Sequence, residues 1–250
     1  MLSRLIVGGV AVAVLTGGCL GLPSGETQSD SQTAKPWQPP SPTGTPAQTL
    51  LAEALQRSQQ VAFRFTVEGD LPGDDGTIKA TGAFDPTAKL FESTIQISSQ
   101  KDPVHRIVVG TDSYLQQTGG KWVHLDLKRV KPDALVYFDM TDATGLVKFT
   151  TRVESAEGTA ATGYKGRFDA GGASPEFLPV GAPSLWVIGG AAPFTATVDG
   201  KGWVTTITVE LTDKDRTVKL TTTMSGHGEP LQIKAPAKKS VVEADDLYYR

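Results

Sequence analysis

From residue 61 onward the chain alternates apolar and polar residues, which is the pattern of strands with one buried face. In the first such stretch, Phe63, Phe65 and Val67 alternate with polar residues. Short turns rich in glycine, proline and aspartate separate the stretches that follow. Further strands are predicted over residues 77–85, 90–98, 104–110, 113–118, 121–127, 150–157, 159–170, 194–198, 203–211 and 217–224. Because connections this short join antiparallel neighbours, we expect the sheet to be antiparallel throughout.

Two helices are predicted among these strands. The first begins with Thr45 as a capping hydroxyl and Pro46 at the first helical position, and it ends near Gln60. Its inward stripe consists of Leu51, Ala54, Leu55 and Ser58. The second helix is predicted from Pro132 to about Phe149, although Gly145 weakens it by about 1 kcal/mol relative to alanine. The segment after the predicted strand at 159–170 contains Pro175, Pro179 and Pro183. It is expected to be an irregular loop, with one helical turn at 184–188.

The proportion of strands and helices predicts an α+β fold. A flat open sheet of this size would expose a long edge that is prone to aggregation. We therefore expect a large curved antiparallel sheet, a half-barrel, with the helices packed on its concave face. The chain has 250 residues, of which 39% are hydrophobic, and this is enough for one sizeable core. A single domain is predicted over residues 46–250.

The first residues predict export. Arg4 precedes an apolar run at 5–15, and small residues lead to Cys19, so residues 1–18 are predicted to be a signal peptide. The run is too short to cross about 30 Å of hydrocarbon. The order resembles the lipobox of bacterial lipoproteins, with Thr16 where the family prefers leucine, and this implies lipidation of Cys19, as with palmitate. A plain secretory signal with an incidental cysteine is the alternative.

The segment after the cysteine predicts a tether. Residues 19–45 are rich in Ser, Thr, Gly, Gln and Pro, so they lack the apolar surface that would offset the entropy of ordering. As a coil, such a segment spans about 25–30 Å. The expected location is therefore the extracytoplasmic face of the cell membrane, with the domain held there by its lipid anchor.

Charge and cysteine content exclude several functions. The net charge of -3 comes from interspersed acidic and basic residues, so no nucleic-acid partner is expected. The single cysteine excludes thiolate metal sites. Asp213 and Asp215 resemble the start of a calcium loop but lack its remaining ligands, and we interpret them as a hairpin turn. No metal or cofactor is expected.

Candidate catalytic groups are sparse. The three histidines, His105, His124 and His227, fall in different predicted elements. His124 and Asp126 share a strand face, as a base and its orienting acid would, but a solvated polar face produces the same pattern. We therefore expect no catalytic residues and no enzymatic activity.

The remaining candidate site is the apolar face of the sheet. If the sheet curls, one alternating set of side chains faces the helices, and this alternation fits a filled core and a hollow one equally. The residues expected to line the interior, and to bind a ligand if it is hollow, are Leu51, Leu55, Phe63, Phe65, Phe84, Leu90, Ile95, Ile97, Leu135, Phe138 and Leu146.

Several motifs resemble the LppX/LprG-type lipoproteins of actinobacterial envelopes, which have a LolA-like shape. They are Leu-Leu-Ala-Glu-Ala-Leu at 50–55, Gly-Ala-Phe-Asp-Pro at 82–86, Gly-Thr-Asp-Ser-Tyr-Leu at 110–115 followed by Lys-Trp at 121–122, Gly-Tyr-Lys-Gly at 163–166, and Pro-Phe-Thr-Ala-Thr-Val-Asp at 193–199. The resemblance implies a half-barrel that binds acylated lipids or glycolipids, and some members move them across the envelope. The proline-rich stretch at 173–183 departs from the family.

Two expectations follow from the sequence and this resemblance. The first is a lipoprotein that binds a lipid or glycolipid in an apolar cavity and carries it within the envelope. The alternative is a tethered protein-binding or regulatory envelope module with a filled core, whose ligand is a protein partner.

Overall fold

One mixed sheet of twelve strands and two α-helices dominate the part of the chain that the computed structural model describes. The described residues are 45–70, 76–117, 120–132, 134, 136–160, 162–170, 190–213 and 216–249. The predictions for the signal peptide, Cys19, the tether, Leu135 and the helical turn at 184–188 lie outside these residues.

Helix α1 spans Pro46–Gln59 and begins as its sequence predicts. The Thr45 hydroxyl accepts a hydrogen bond from the amide of Gln48 at 3.3 Å, and Pro46 occupies the first turn. The buried residues are the predicted stripe of Leu51, Ala54, Leu55 and Ser58. Ser58 also accepts a hydrogen bond from the amide of Val204 at 3.0 Å, so α1 is fixed to the sheet by a buried polar contact as well as by apolar packing.

The strands form two meanders. The first meander comprises β1 Phe63–Asp70, β2 Thr77–Asp85, β3 Leu90–Ile97, β4 Val104–Val109, β5 Asp112–Gln117 and β6 Trp122–Asp126. The second meander comprises β7 Val153–Ala160, β8 Gly163–Asp169, β9 Ala191–Val198, β10 Val204–Asp213 and β11 Arg216–Ser225. They join where β1 pairs antiparallel with β11, so both contribute to one continuous sheet. The predicted strands are confirmed, with small changes at their ends.

One pairing contradicts the expectation of a wholly antiparallel sheet. The short strand β12, Val241–Glu243, pairs parallel with β6 at the edge of the first meander. Short 3-10 helices at Lys238–Ser240 and Asp246–Tyr249 flank it. The parallel direction is possible because a long stretch of chain separates the two strands in sequence.

The second helix is much shorter than predicted. Helix α2 spans only Leu146–Arg152, and it continues into residues that were predicted to be strand. Gly145 adopts φ +73°, in the left-handed region, so a regular helix does not pass through this residue. Just before it, the Asp142 carboxylate accepts hydrogen bonds from the amides of Val147 and Lys148, both at 2.9 Å, which caps the new helix.

Neither helix is a candidate membrane span. Among the described residues, no helix is both long enough and apolar enough to cross a bilayer.

The sheet has an apolar inner face and a polar outer face. Register places Phe63 opposite Phe84, Phe84 opposite Phe91 and Phe91 opposite Val108, so one apolar row crosses four strands of the inner face. The leucines of α1 and the buried Leu146 and Phe149 of α2 belong to the same core cluster as this row. The outer face is rich in threonine. Its threonines include Thr66, Thr81, Thr195, Thr197, Thr206, Thr208, Thr221 and Thr223.

Both meanders place a glycine beneath an inner-face phenylalanine. A Cβ on Gly82 would lie 2.4 Å from the ring of Phe65, and one on Gly166 would lie 2.8 Å from the ring of Phe194. Any larger residue at these two positions would displace a core ring, which explains why glycine occurs within each strand.

Candidate functional site

The structure brings most of the predicted lining residues together on or against the inner face. Leu51, Leu55, Phe63, Phe65, Phe84 and Leu146 are buried in one cluster, and Ile95, Ile97 and Phe138 pack against it while remaining partly exposed. Leu135 is not among the described residues.

Leu90 is the misplaced member of the set. It pairs with Asp85 and Val109, whereas its neighbour Phe91 pairs with Phe84 and Val108 on the inner face. Because successive side chains of a strand point to opposite faces, Leu90 lies on the outer face with the polar residues. It therefore does not line the interior as predicted.

Phenylalanine rings form the centre of this surface. The centroid of Phe84 lies 6.1 Å from that of Phe63 and 6.4 Å from that of Phe91. Phe138 lies 4.8 Å from Phe91. It comes from the irregular stretch between β6 and α2 rather than from the predicted helix. A loop residue therefore covers part of the sheet where helical cover was expected.

A stripe beside this cluster is only half covered. Ile95 lies opposite Val104, and Ile97 follows Ile95 on the inner face of β3. All three side chains are of intermediate exposure. The open stripe, as we call Ile95, Ile97 and Val104, is an apolar surface that the described chain leaves partly in contact with solvent.

A polar group interrupts the apolar inner face next to the open stripe. Arg106 lies on β4 between Val104 and Val108, with Ser93 opposite it on β3. Its Cζ lies 4.5 Å from the centroid of the Phe138 ring, which fixes the side chain on the inner face. Ser113 lies opposite Val108 and diagonally across from Arg106. Arg106, Ser93 and Ser113 are called the polar island below.

The charged end of Arg106 is unusually isolated. The residue as a whole is half-buried, but its Nη1 atom is sealed from solvent and, among the described residues, has no hydrogen-bond partner. Ser113 Oγ is in the same state. Burial lowers the pKa of Arg106 to about 10, so the guanidinium still carries its charge near neutral pH. The interior thus holds a cation and a hydroxyl with unused hydrogen-bonding capacity.

Arg106 is not among the predicted lining residues, although the alternation of apolar and polar residues on β4 contains the signal for it. Val104, Arg106 and Val108 have the same parity, so two inward valines place the arginine on the apolar face. A charged residue between two inward residues is the feature that would have identified it.

A second, smaller cluster adjoins the polar island, and Val104 of the open stripe packs against it. Leu115 and Leu125 of the first meander pack with Val130, Ala134 and Tyr249. Leu127 contacts both this cluster and the main one. Arg106 pairs with Leu115 as well as with Ser93, so it lies at the boundary between the two apolar clusters.

The three histidines lie in separate places, and only His227 contacts this surface, through Phe63. His124 Nε2 lies 2.9 Å from Asp112 Oδ1, and its Nδ1 lies 2.8 Å from Glu243 Oε2. These carboxylates, and not Asp126 on the same strand, are its hydrogen-bond partners. Burial lowers the pKa of His124, but the hydrogen bonds and negative charges of Glu243 and Asp112 together raise it above its ordinary value. The arrangement ties β12 to the edge of the first meander.

The other two histidines have different surroundings. His105 Nδ1 lies 2.9 Å from the hydroxyl of Thr94 on the outer face. His227 stacks on Trp203, at 5.4 Å and nearly parallel, and on Phe63 at 5.9 Å. Within the described ranges, no three His, Cys, Asp or Glu side chains are grouped closely enough to hold a metal ion.

Grooves also occur on the outer face, but their lining is different. One of about 630 Å³ crosses β11, β1, β2, β3 and β4. Its walls include Arg64, Thr66, Thr81, Glu92, Thr94, His105, Trp122, Thr223 and Ser225. Phe65 and Ile107 also line this groove, so its surface mixes polar and apolar groups where the inner face is continuously apolar.

No protein-family model matches the chain, and no curated protein matches it significantly. The structure is similar to the lipoprotein LppX of Mycobacterium tuberculosis, with 16% identity, a TM-score of 0.44 and coverage of 74% of this chain and 98% of that one. It is also similar to an uncharacterized conserved protein from Thermus thermophilus, with 13% identity, a TM-score of 0.46 and coverage of 80% and 100%.

A third similar structure is a LolA superfamily protein from Nitrosomonas europaea, with 10% identity, a TM-score of 0.28 and coverage of 77% of this chain and 96% of that one. LppX and the LolA superfamily, whose shape the sequence resembles, are both named among these structural neighbours. All three similarities are distant.

Proposed function

We propose that the chain is a membrane-anchored, non-enzymatic lipoprotein that binds an acylated lipid or glycolipid on the inner face of its sheet and carries it within the cell envelope. In this proposal the sheet is a half-barrel, the helices lie on its concave face, and acylated Cys19 holds the domain at the extracytoplasmic face of the membrane.

The observation that carries the proposal is the mismatch between the apolar face and its cover. Twelve strands at about 4.8 Å spacing make a sheet about 50 Å wide. Two helices, each about 10 Å across, cover less than half of that width. The open stripe lies where the described chain leaves the cover incomplete, and an acyl chain is a ligand whose shape and chemistry fit such a strip.

The energetics favour a shielded carrier over free diffusion of the lipid. Each methylene costs about 0.8 kcal/mol to expose to water, so a long acyl chain needs an apolar surface during transfer. The predicted tether of residues 19–45 would keep that surface close to the membranes that donate and accept the lipid.

Absence of catalysis is part of the proposal. The described histidines lie in three separate environments, and His124 is occupied by two carboxylates in a contact that joins two strands. Binding and release of a lipid require no nucleophile or proton transfer.

Native mass spectrometry tests this function. The full chain carrying Cys19→Ala would be purified from the envelope and measured before and after extraction with organic solvent. We expect a co-purifying multi-acyl lipid that extraction removes and that added lipid restores. A bare mass in both preparations, with no uptake of added phospholipid or glycolipid, would contradict lipid binding.

A second candidate function is a tethered protein-binding module. Leu247 is 74% exposed, and Val242 and Tyr248 are also exposed large hydrophobic residues near the end of the chain. Such a patch fits a protein partner in the envelope. Loss of partner capture in Leu247→Ser, with lipid uptake absent in the parent protein, would favour this candidate.

A further inference from the structure

The polar island is the feature of the interior that packing alone does not explain. A charged group buried without a partner is costly, and proteins normally pair it or place it at the surface. Arg106 is flanked in register by Ser93 and Leu115 and covered by Phe138. Among the described residues, these three neighbours are apolar or small and neutral, and none of them is an acid.

Two unused donors come from diagonal positions on the inner face of β4 and β5. Nη1 of Arg106 and Oγ of Ser113 are both buried and, within the described part of the chain, both lack a partner. A guanidinium and a hydroxyl are the groups that bind carboxylate and phosphate oxygens, and such charge-assisted hydrogen bonds are about twice as strong as neutral ones.

The open stripe adjoins these donors. Val104 precedes Arg106 by two residues on β4, about 7 Å along the inner face, and Ile95 lies opposite Val104. A molecule with an anionic end at Arg106 would therefore have its hydrocarbon part beside Val104, Ile95 and Ile97. This order of polar and apolar groups matches an amphiphile with one charged end.

We propose that Arg106 and Ser113 form the binding site for the oxyanion, carboxylate or phosphate, of an acyl lipid whose chain lies along the open stripe. This inference rests on the proposed lipid-binding function and specifies its ligand. The anion compensates the buried charge, and Phe138 covers the guanidinium on its other side.

Paired probes test the site directly. Binding of palmitate, hexadecyl phosphate and 1-hexadecanol, which differ only at the polar end, would be measured with the full chain carrying Cys19→Ala. The protein should bind the two anions at least about tenfold more tightly than the alcohol, the range expected of a hydrogen bond to a charged group. The Arg106→Met variant should bind all three probes with the affinity that the parent protein has for the alcohol. The Arg106→Lys variant should retain part of the preference for the two anions.

Stability separates a binding role from a structural one. Because Arg106→Met removes a buried charge without a partner, we expect thermal unfolding at an unchanged or higher temperature. If the methionine variant fails to fold, Ser113→Ala provides the second test, and it should reduce the preference for the anions severalfold.

The outcomes distinguish this site from the function on which it rests. Equal binding of anions and alcohol by the parent protein would overturn the anion site and leave lipid binding intact. Failure to bind any of the three probes would overturn both. Inorganic phosphate alone should bind at least a hundredfold more weakly than hexadecyl phosphate, and equal affinity would overturn the assignment to a lipid.

Discussion

The two meanders share one sheet but have different interiors. In the second meander the inner-face residues Phe168, Phe194, Ile207 and Leu220 are almost completely buried. Phe149 of α2 lies 5.3 Å from both Phe168 and Phe194. The first meander has an equally apolar row at Phe63, but further along it contains the open stripe and the polar island.

Under the proposed function, this difference separates a stabilising region from a binding region. Close-packed apolar residues supply most of the free energy of folding. Partly covered residues and a buried charge reduce it, and such departures from good packing occur in proteins where function requires them. The second meander therefore contributes more to the stability of the fold, and our proposal places the ligand on the first.

The largest predicted effect concerns the packed interior of the second meander. Phe149→Ala should reduce the free energy of unfolding by about 3–5 kcal/mol, because it removes a buried ring and leaves a cavity. Urea denaturation measures this loss. Val147→Ala on the same helix is the control, since Val147 is 37% exposed and its replacement should change stability by less than about 0.5 kcal/mol.

The same variant also tests the division of roles. Phe149→Ala should leave the preference for anionic over neutral lipids unchanged at temperatures where the protein remains folded. Loss of that preference with little loss of stability would show that the second meander holds the ligand.

A smaller effect on stability is expected in the open stripe. Ile95→Ala removes half-covered carbon atoms, so it should cost about 1 kcal/mol of folding free energy and weaken palmitate binding severalfold. Ile107→Ala is a matched control, because Ile107 is also half-buried but lies on the outer face of the neighbouring strand. Equal losses of affinity in both variants would argue against a ligand on the inner face.

A third test concerns Asp142, which caps the first turn of α2, the helix that packs on the second meander. Asp142→Ala removes the acceptor of the two amide hydrogen bonds that begin the helix, so it should cost about 1 kcal/mol. Asp142→Asn keeps one acceptor oxygen, and because burial raises the pKa of Asp142, the neutral amide should cost less. If the alanine variant were as stable as the parent, the short helix would not depend on this cap.

The smallest effect is a dependence on pH at the edge of the first meander. The carboxylates of Glu243 and Asp112 raise the pKa of His124 above its ordinary value despite the opposing effect of burial. The folded state therefore binds a proton more tightly than the unfolded state. The resulting stability is fully present below the unfolded pKa of about 6.5 and is lost as pH rises through the folded value.

Glu243→Gln should diminish this dependence. Compared with the parent, the variant should be least stable between about pH 5 and 6.5, where the acids are ionised and the histidine is protonated, and the difference should shrink at higher pH. Denaturation across this range measures the effect. Glu68→Gln, which breaks an exposed ion pair with Lys79, should show little change at any pH. A difference that grew above pH 7 would contradict the explanation.

Alternation in the sequence was sufficient to predict most of the sheet, because a two-residue period follows directly from strand geometry. The first helix was equally predictable from Thr45 and Pro46. The second helix was overestimated because its apolar stripe was judged without the left-handed conformation of Gly145. The parallel pairing of β12 has no local signal, since it depends on contacts between residues more than a hundred positions apart.

The site was predictable to a similar degree. The inner-face phenylalanines were predicted because alternate residues of a strand face the same side of the sheet. Strict use of the same rule would have excluded Leu90 and included Arg106. The role of Phe138 as a cover from a loop, and the absence of a partner for Arg106 Nη1 among the described residues, depend on tertiary packing that no single sequence pattern contains.

Photo-crosslinking tests most directly whether the inner face of the first meander binds lipid. A palmitate analogue with a diazirine in its chain would be irradiated with the full chain carrying Cys19→Ala, and the labelled residues would be identified by peptide mass spectrometry. We predict labelling at Ile95, Ile97, Val104 and Phe138 that excess palmitate suppresses. Labelling confined to the outer face, around Ile107 and Trp122, or labelling that palmitate does not suppress, would contradict it.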